Sequence, residues 1–277
     1  MSKEKFFTEA DNFLEIVKRH LPEVIPNSLE FVKTGWTNFV ICASTPDASY
    51  FFRFPRNSFF SRMMIKDHAF CSFAKEKVSI QFPDLKIFYD QERPFSMHKK
   101  IKGWSLTDRF KFLSRQAITN LAYDIANFIH ELEQIDPKSL PQACNMYVSK
   151  FLDKLPSVEY NDYDLHKHDK LRQLEKQPQV VHGDLNPGNI LLDENDRMVA
   201  VIDFAFAGVS NSYVDLSRII GRTHPSFEAP MIDAYKAIVN SSIDENCMRE
   251  IVKMWDYVDN QYILYMKEKH PEIQLPD

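Results

Sequence analysis

The sequence predicts an α+β protein of two lobes, a small lobe built on a five-stranded antiparallel sheet and a larger, mainly helical lobe. Short apolar runs separated by turn residues dominate residues 1–101, whereas apolar residues at helical spacing dominate residues 102–277. Hydrophobic residues make up 44% of the chain and charged residues 26%, so a packed core is expected and disorder is not. We therefore predict an N-terminal lobe over 1–101 and a C-terminal lobe over 102–277.

The N-terminal lobe is predicted to contain two helices and five strands. Apolar residues recur every three or four positions near the start of the chain, and Pro22 ends that helix. Apolar and aromatic runs bounded by turn residues indicate the strands. The predicted order is a helix over 6–21, strands at 29–35, 38–44 and 49–56, a helix over 60–77, and two strands on either side of a turn at 90–94.

The C-terminal lobe begins near Gly103 and is predicted to be helical except for three short strands. The last two of these strands form a hairpin around the turn at 193–197. The predicted elements are a helix over 107–133, a helix over 146–155, strands at 180–185, 189–194 and 198–206, and helices from Val214 onward.

The net charge and the cysteine spacing argue against nucleic-acid-binding, disulfide-rich and zinc-binding proteins. The net charge of −5 and the pI near 6.0 argue against a nucleic-acid groove, which needs clustered Lys and Arg. Four cysteines without CxxC spacing are typical of reduced thiols, not of a disulfide framework or a zinc site. No apolar run is long enough to span a bilayer. We expect a soluble cytoplasmic protein, monomeric or weakly dimeric, that binds neither nucleic acid nor membrane.

Residues 180–192, VVHGDLNPGNILL, interrupt an apolar strand with a polar cluster. Asp184 and Asn189 lie at the two ends of that cluster, and Asp203 follows fourteen residues later at the end of another predicted strand. A carboxylate such as Asp184 can orient an attacking hydroxyl and accept its proton, and Asn189 and Asp203 can hold Mg²⁺ through oxygen atoms. This pattern predicts phosphoryl transfer from a nucleoside triphosphate.

HGDLNPGN followed by VIDF resembles the aminoglycoside phosphotransferase family, part of the kinase-like fold that includes choline and macrolide kinases. The resemblance implies a two-lobed, protein-kinase-like fold and transfer of the γ-phosphate of ATP or GTP to a hydroxyl of a small amine-bearing molecule. FRFPR at 52–56 and IKG at 101–103 are most similar to the enzymes that phosphorylate the 2″-hydroxyl of aminoglycosides. An aminoglycoside is therefore the first choice of acceptor, and antibiotic resistance is one role to test.

The same resemblance implies a set of nucleotide-binding residues. A cation on the third strand would contact the phosphates and pair with an acid on the inserted helix; Arg53 and Asp67 take these places, and Arg56 is a rival for the first. The remaining implied residues are Gly35 and Thr37 in the nucleotide loop, His98 at the gatekeeper position, and Lys99 and Ile101 in the hinge.

The acceptor site is predicted near the C-terminus, where aromatic and acidic residues alternate. Trp255, Asp256 and Asp259 are the candidates. Carboxylates suit a polycationic aminoglycoside, whereas aromatic faces suit a quaternary amine. A kinase of choline, ethanolamine or another metabolite therefore remains an alternative.

Two further alternatives concern catalysis itself. A nucleotide-binding pseudokinase is suggested by Arg53, by Asp67, and by Ala205, which follows Asp203 where protein kinases have Gly. A protein kinase is disfavoured because no Ala-Pro-Glu segment follows Asp203.

Three residues in or after the motif are expected to have structural roles, and a fourth residue, upstream of it, departs from the family pattern. His182 is predicted to pack within the loop, Asn186 to stabilise the turn, and Asp215 to be the N-cap of a helix. Glu133 stands where the family often has His.

Overall fold

The computed structural model describes residues 6–8, 11–32, 37–153 and 168–271. Its strands are β1 (Glu30–Val32), β2 (Asn38–Ser44), β3 (Ser49–Pro55), β4 (Lys86–Asp90), β5 (Arg93–Lys99), β6 (Trp104–Ser105), β7 (Gln179–Val181), β8 (Ile190–Leu192), β9 (Met198–Val201) and β10 (Gly208–Ser210). Its α-helices are α1 (Phe13–His20), α2 (Ser58–Ala74), α3 (Leu106–Arg109), α4 (Arg115–Glu133), α5 (Val148–Leu152), α6 (His168–Leu174), α7 (Tyr213–Arg222), α8 (Glu228–Val239) and α9 (Glu245–Lys269).

Strands β1 to β5 form one antiparallel sheet in the order β1-β2-β3-β5-β4. The two-residue turn between β4 and β5 places Gln91 and Glu92 at positive φ, the backbone conformation that a tight hairpin requires. The five strands and the helical part that follows confirm the predicted α+β class.

Alternation along β3 separates its aromatic residues from its cation. Phe52 and Phe54 are fully buried in a core that they share with Phe13 of α1 and Phe95 of β5. Because successive side chains of a strand point to opposite faces, Arg53 lies on the other face of the sheet. This face is the one that faces α2 and the cavity described below.

Helix α2 links the sheet to the helical lobe. Its N-cap is Asn57, whose side chain accepts a hydrogen bond from the N–H of Phe60 at 3.1 Å. The ring of Phe70 on α2 stacks on Phe204 with centroids 5.1 Å apart, and both rings belong to the large core of the helical lobe. Because α2 also contacts β3 and β5 of the sheet, its position is set by packing against both lobes.

The helical lobe differs from the sequence prediction in its strands and in one helix. The strand predicted over 198–206 ends at Val201, and β6 and β10 were not predicted. The continuous helix predicted over 107–133 is interrupted, because a new N-cap at Ser114 starts α4 and accepts a hydrogen bond from the N–H of Ala117 at 3.1 Å. The predicted hairpin is confirmed as β8 and β9, and β7 pairs with β10. None of the described helices is long and apolar enough to cross a bilayer.

The boundary between the lobes at residue 101 remains a proposal. It is supported by two features of the strands. The five-stranded sheet ends with Lys99, and β6 at Trp104 already pairs with β8 of the helical lobe.

Candidate active site

The motif HGDLNPGN forms the loop between β7 and β8. Gly183 has a φ of +81°, and a Cβ at this position would lie 2.4 Å from the carbonyl oxygen of Phe206. Any side chain here would clash with the backbone of the neighbouring loop, so glycine is required. The loop ends in a 3₁₀ turn over Pro187–Asn189, after which β8 begins.

His182 holds two loops together from a fully buried position. Its Nδ1 accepts a hydrogen bond from the N–H of Asp184 at 3.2 Å, and its Nε2 donates to the carbonyl oxygen of Ile202 at 3.1 Å. The ring lies 4.5 Å from that of Phe204. These contacts confirm the predicted structural role and fix the loop of Asp184 relative to the strand end that carries Asp203.

The predicted role of Asp215 was wrong. Helix α7 begins at Tyr213 after Ser212, so Asp215 lies within the first turn and is not the N-cap. Its carboxylate, 1% exposed, accepts hydrogen bonds from the N–H groups of His182 at 2.7 Å and Gly183 at 2.8 Å. Burial raises the pKa of Asp215 to about 6. This buried carboxylate fastens the loop to α7.

Asn189 contacts Asp184 across the turn. Its Nδ2 donates to the carbonyl oxygen of Asp184 at 2.9 Å and lies 3.5 Å from Oδ2 of the same residue. This orientation leaves Oδ1 of Asn189 as the atom that could hold a metal ion. Asn186 accepts a hydrogen bond from the N–H of Gly188 at 2.9 Å, which confirms its predicted role in the turn.

Asp203 follows β9 in the left-handed backbone conformation, with φ 66° and ψ 67°, which Asp tolerates better than most residues. Its side chain is 45% exposed to the cavity and lies 3.7 Å from Nη2 of Arg53. Desolvation within the cleft raises the pKa of Asp203; Arg53 opposes this effect, and the carboxylates of Asp67 and Asp184 add to it. A nearby cation is therefore favourable for its ionised form.

The predicted pair of Arg53 and Asp67 is confirmed, with Nη1 and Oδ2 2.6 Å apart. Asp67 is fully buried, and its Oδ1 accepts a hydrogen bond from the N–H of Phe204 at 3.1 Å. Asp67 therefore joins α2 to β3 and to the turn that follows Asp203. Arg56 instead stacks over the ring of Phe39 at 3.7 Å, on the opposite face of the sheet.

One cavity of about 760 Å³ brings most of the predicted residues together. The predicted residues that line it are Thr37, Arg53, His98, Ile101, Asp184, Asn189, Asp203, Trp255 and Asp259. Asp67 lies behind Arg53, and neither Lys99, Asp256 nor Arg56 is among the described residues that line it. Gly35 lies outside the described residues. Glu133 is also away from the cavity, where it accepts hydrogen bonds from His130 and Tyr235.

Residues 28–251, which are most of the chain, match the sequence model of the APH family, the phosphotransferase enzyme family. This chain belongs to that phosphotransferase family. Membership confirms the family suggested by the HGDLNPGN and VIDF motifs, and it confirms the prediction of a phosphotransferase enzyme.

Solved structures of related enzymes share the fold of this phosphotransferase. They include an APH(2″) enzyme in complex with GDP and kanamycin (TM-score 0.73, 19% identity, 93% of this chain and 92% of that chain). A complex of another APH(2″) enzyme with gentamicin gives a TM-score of 0.67 at 21% identity, covering 96% and 94%. The apoenzyme of a macrolide 2′-phosphotransferase from Brachybacterium faecium gives 0.67 at 15% identity, covering 93% and 92%. At these identities the likeness establishes the common fold.

Among the cavity residues that sequence reasoning missed, Arg218 is the one that contacts Asp184. Its Nε donates to Oδ1 of Asp184 at 2.9 Å, and its Nη1 donates to the carboxylate of Asp259 at 2.9 Å. A signal was present, because Arg218 stands three residues after Asp215. Residues at this spacing lie on one face of a helix. The side chains of Asp215 and Arg218 therefore point to the same loop.

The oxygen atoms of Asn189 and Asp203 fit Mg²⁺ better than they fit a transition metal. Within 6–8, 11–32, 37–153 and 168–271, no group of three or more His, Cys, Asp or Glu side chains could hold a metal ion. Mg²⁺ in nucleotide-dependent enzymes binds one or two protein carboxylates together with water and substrate phosphates. Asn189 and Asp203 would hold it here.

Lys66 of α2 also lines the cavity and carries an unusual amine. The side chain is buried, and no hydrogen bond or ion pair of its amine is found among the described residues. Burial lowers the pKa of Lys66 from 10.5 to about 8. Below pH 8 the folded protein therefore carries a buried ammonium group that is better solvated in the unfolded chain.

Lys66→Met is expected to stabilise the phosphotransferase by up to about 3 kcal/mol at pH 7, the free energy that corresponds to the lowered pKa. The unfolded state binds more protons than the folded state between pH 8 and 10.5, so the gain should shrink as pH rises through that range. Chemical denaturation at several pH values measures it. Lys75→Met, at an exposed position on the same segment, is the matched control. A Lys66 variant less stable than the parent at pH 7 would contradict the prediction.

Proposed function

We propose that this protein is a Mg²⁺-dependent phosphotransferase that transfers the γ-phosphate of ATP or GTP to a hydroxyl of a small amine-bearing molecule. The observation that carries the proposal is the convergence of Asp184, Asn189, Asp203 and Arg53 on one cavity. These residues come from both lobes. They combine a carboxylate base, a metal-binding pair and a phosphate-binding cation, the parts on which phosphoryl transfer depends.

In the proposed reaction, Asp184 accepts a hydrogen bond from the acceptor hydroxyl and takes its proton as the new O–P bond forms. The bond between the γ-phosphorus and the bridging oxygen breaks, and the nucleoside diphosphate leaves. Arg53 offsets the negative charge of the phosphates, and Asp67 holds its guanidinium in place. When bound, Mg²⁺ supplies further positive charge to the phosphate oxygens.

The nucleotide base is proposed to bind in the part of the cavity between the sheet and the hinge. Val40, Phe51 and Ile101 provide apolar surface there, beside His98. Such surface suits a purine ring of either nucleotide. Thr37 and Gly35 remain proposed contacts of the phosphates, and the backbone of Lys99 and Ile101 remains the proposed hinge.

The acceptor is proposed to bind beside Asp184, against α9. Asp259 lines this part of the cavity, where its carboxylate pairs with Arg218 and Arg222. The likeness to APH(2″) enzymes in complex with kanamycin and gentamicin supports an aminoglycoside-like acceptor as the first choice. Trp255, Tyr262 and Phe206 line the same part of the cavity with aromatic rings. Those rings favour a choline-like or ethanolamine-like acceptor as the second candidate. Antibiotic resistance follows from the first candidate and not from the second.

A panel assay of nucleoside diphosphate formation tests the proposal. ATP and GTP are each incubated with Mg²⁺ or EDTA, and with kanamycin, gentamicin, a macrolide, choline or ethanolamine. Diphosphate formation that needs Mg²⁺ and rises with one acceptor class is the expected result. If nucleotides raise Tm but no diphosphate forms in any combination, the protein is a nucleotide-binding pseudokinase and the proposal fails.

A further inference from the structure

We propose that Arg218 is a positioning residue for the catalytic carboxylate, and that Asp259 of α9 holds Arg218 in place. This inference rests on the proposed function, because it assumes that Asp184 receives the acceptor proton. The arrangement would connect the helix that lines the acceptor site directly to the reacting group.

The contacts of Arg218 link two carboxylates from distant parts of the chain. Its Nε donates to Oδ1 of Asp184 at 2.9 Å, and its Nη1 lies 2.9 Å from both carboxylate oxygens of Asp259. Only 13% of the Arg218 side chain is exposed, so solvent competes weakly for these bonds. Because the donors of a guanidinium lie in one plane, fixing one end of the group fixes the direction of the other.

Arg218 is itself held by its surroundings. The ring of Trp255 lies 4.9 Å from its guanidinium carbon, and Nε1 of Trp255 donates to Oγ of Ser217 at 3.0 Å. Arg222 also forms an ion pair with Asp259. Asp259 is therefore fixed by two arginines of α7, and its position depends on the packing of α9 against α7.

The consequence for Asp184 is that its two carboxylate oxygens differ. Oδ1 accepts a hydrogen bond from Arg218, whereas the amide of Asn189, at 3.5 Å, is the only partner of Oδ2 among the described residues. Oδ2 is the oxygen left for the acceptor hydroxyl. Without Arg218 the carboxylate could rotate about its side-chain bonds, and misplacing a catalytic group by about 1 Å can lower turnover roughly 100-fold.

Nucleotide binding should depend little on Arg218. The phosphate-binding cation, Arg53, is held by Asp67 and lies close to Asp203, whereas Arg218 contacts Asp184 and α9. A positioning role therefore predicts a lower kcat at nearly constant nucleotide KM. If Arg218 instead acted mainly by weakening the basicity of Asp184, its removal would raise kcat.

The test measures phosphate release from Mg·ATP and Mg·GTP with water as the acceptor, so that no acceptor needs to be identified. Arg218→Gln is expected to lower kcat by about 10- to 100-fold and to change nucleotide KM less than about twofold. Arg218→Lys should recover part of the loss, since it keeps the charge but not the planar fork. Asp259→Asn should lose less than Arg218→Gln, because the bond between Arg218 and Asp184 remains.

Arg249→Gln is the matched control. Arg249 also lies near two carboxylates, Glu228 and Glu245, but at the protein surface. The control should have the parental kcat. If Arg218→Gln does not fold, Asp259→Asn carries the test, and a parental kcat in that variant overturns the proposal.

Asp184→Asn separates failure of this inference from failure of the proposed function. If Asp184→Asn is inactive while folded Arg218→Gln keeps the parental kcat, the positioning role is wrong and the proposed function stands. If Asp184→Asn turns over as fast as the parent, the proposed function fails and this inference fails with it. An equal fall of kcat in the Arg218→Gln, Arg218→Lys and Arg249→Gln variants would indicate a general structural effect and also overturn the positioning role.

Discussion

Asp184→Asn is expected to lower kcat for phosphoryl transfer by about 1,000-fold, with nucleotide affinity nearly unchanged. An amide cannot take up the acceptor proton, and loss of a general base typically costs about 10²- to 10⁴-fold in rate. The substitution keeps the shape of the side chain, and the backbone contacts of Asp184 with His182 and Asn189 do not involve its carboxylate. Initial rates of nucleoside diphosphate formation give kcat, and calorimetric titration with nucleotide gives the affinity.

The control for this experiment is Asp47→Asn, which makes the same chemical change in the exposed turn between β2 and β3. It should leave both kcat and affinity unchanged. Parental turnover in Asp184→Asn would contradict the assignment of the base. A combined loss of turnover and of nucleotide affinity would instead mean that Asp184 supports the nucleotide site.

Asp203→Asn is expected to lower kcat by roughly 1,000-fold and to raise the concentration of Mg²⁺ needed for half-maximal rate. Asp203 is the only charged member of the proposed metal-binding pair, and it lies 3.7 Å from Arg53, the proposed phosphate-binding cation. Electrostatic groups aimed at the reacting phosphate typically contribute about 10²- to 10³-fold or more. Titrating the rate with Mg²⁺ at saturating nucleotide measures both effects.

Asn is the appropriate replacement at position 203 because the backbone there is left-handed, at φ 66°. Asn tolerates this conformation, so a lower rate can be ascribed to the lost charge and not to backbone strain. Asp233→Asn on the exposed face of α8 is the control. A variant of Asp203 with a parental rate and parental Mg²⁺ dependence would contradict the metal assignment.

Much of the fold was predictable because its signals are local. The five strands of the sheet were expected near their observed positions, since each apolar run is bounded by turn residues. The helix expected over 107–133 was interrupted because Ser114 can act as an N-cap within a run that otherwise has helical spacing. Periodicity alone does not distinguish one long helix from two that follow each other.

The choice between Arg53 and Arg56 illustrates a second limit. Either residue could have been the phosphate-binding cation, because Pro55 between them left the register of the strand open. The structure keeps Pro55 within β3, so alternation places Arg53 toward Asp67 and Arg56 over Phe39. Which arginine faces the cavity is decided by the pairing of β3 with its neighbours.

Asp215 and Arg218 show what sequence patterns miss. Both lie on one helix and neither belongs to the HGDLNPGN motif, yet one holds the backbone of that motif and the other contacts its carboxylate. An acidic residue near the start of a helix is commonly an N-cap. That frequent role was assigned to Asp215, whose carboxylate instead binds the backbone of the loop. Their side chains on α7 contact a loop that lies more than thirty residues earlier in the chain. A local sequence pattern does not predict contacts between segments so far apart.

The sequence by itself determined the family of this protein and predicted the chemistry proposed for it: the order and spacing of Asp184, Asn189 and Asp203 predict a base and a metal-binding pair, because few residue types perform those tasks. The tertiary structure decided which charges meet them. Arg53 reaches Asp203 across the two lobes, and Arg218 joins Asp184 to Asp259 of the last helix. These pairings depend on the packing of α2 and α9 against the rest of the core, and packing is a property of the whole chain that no short segment encodes.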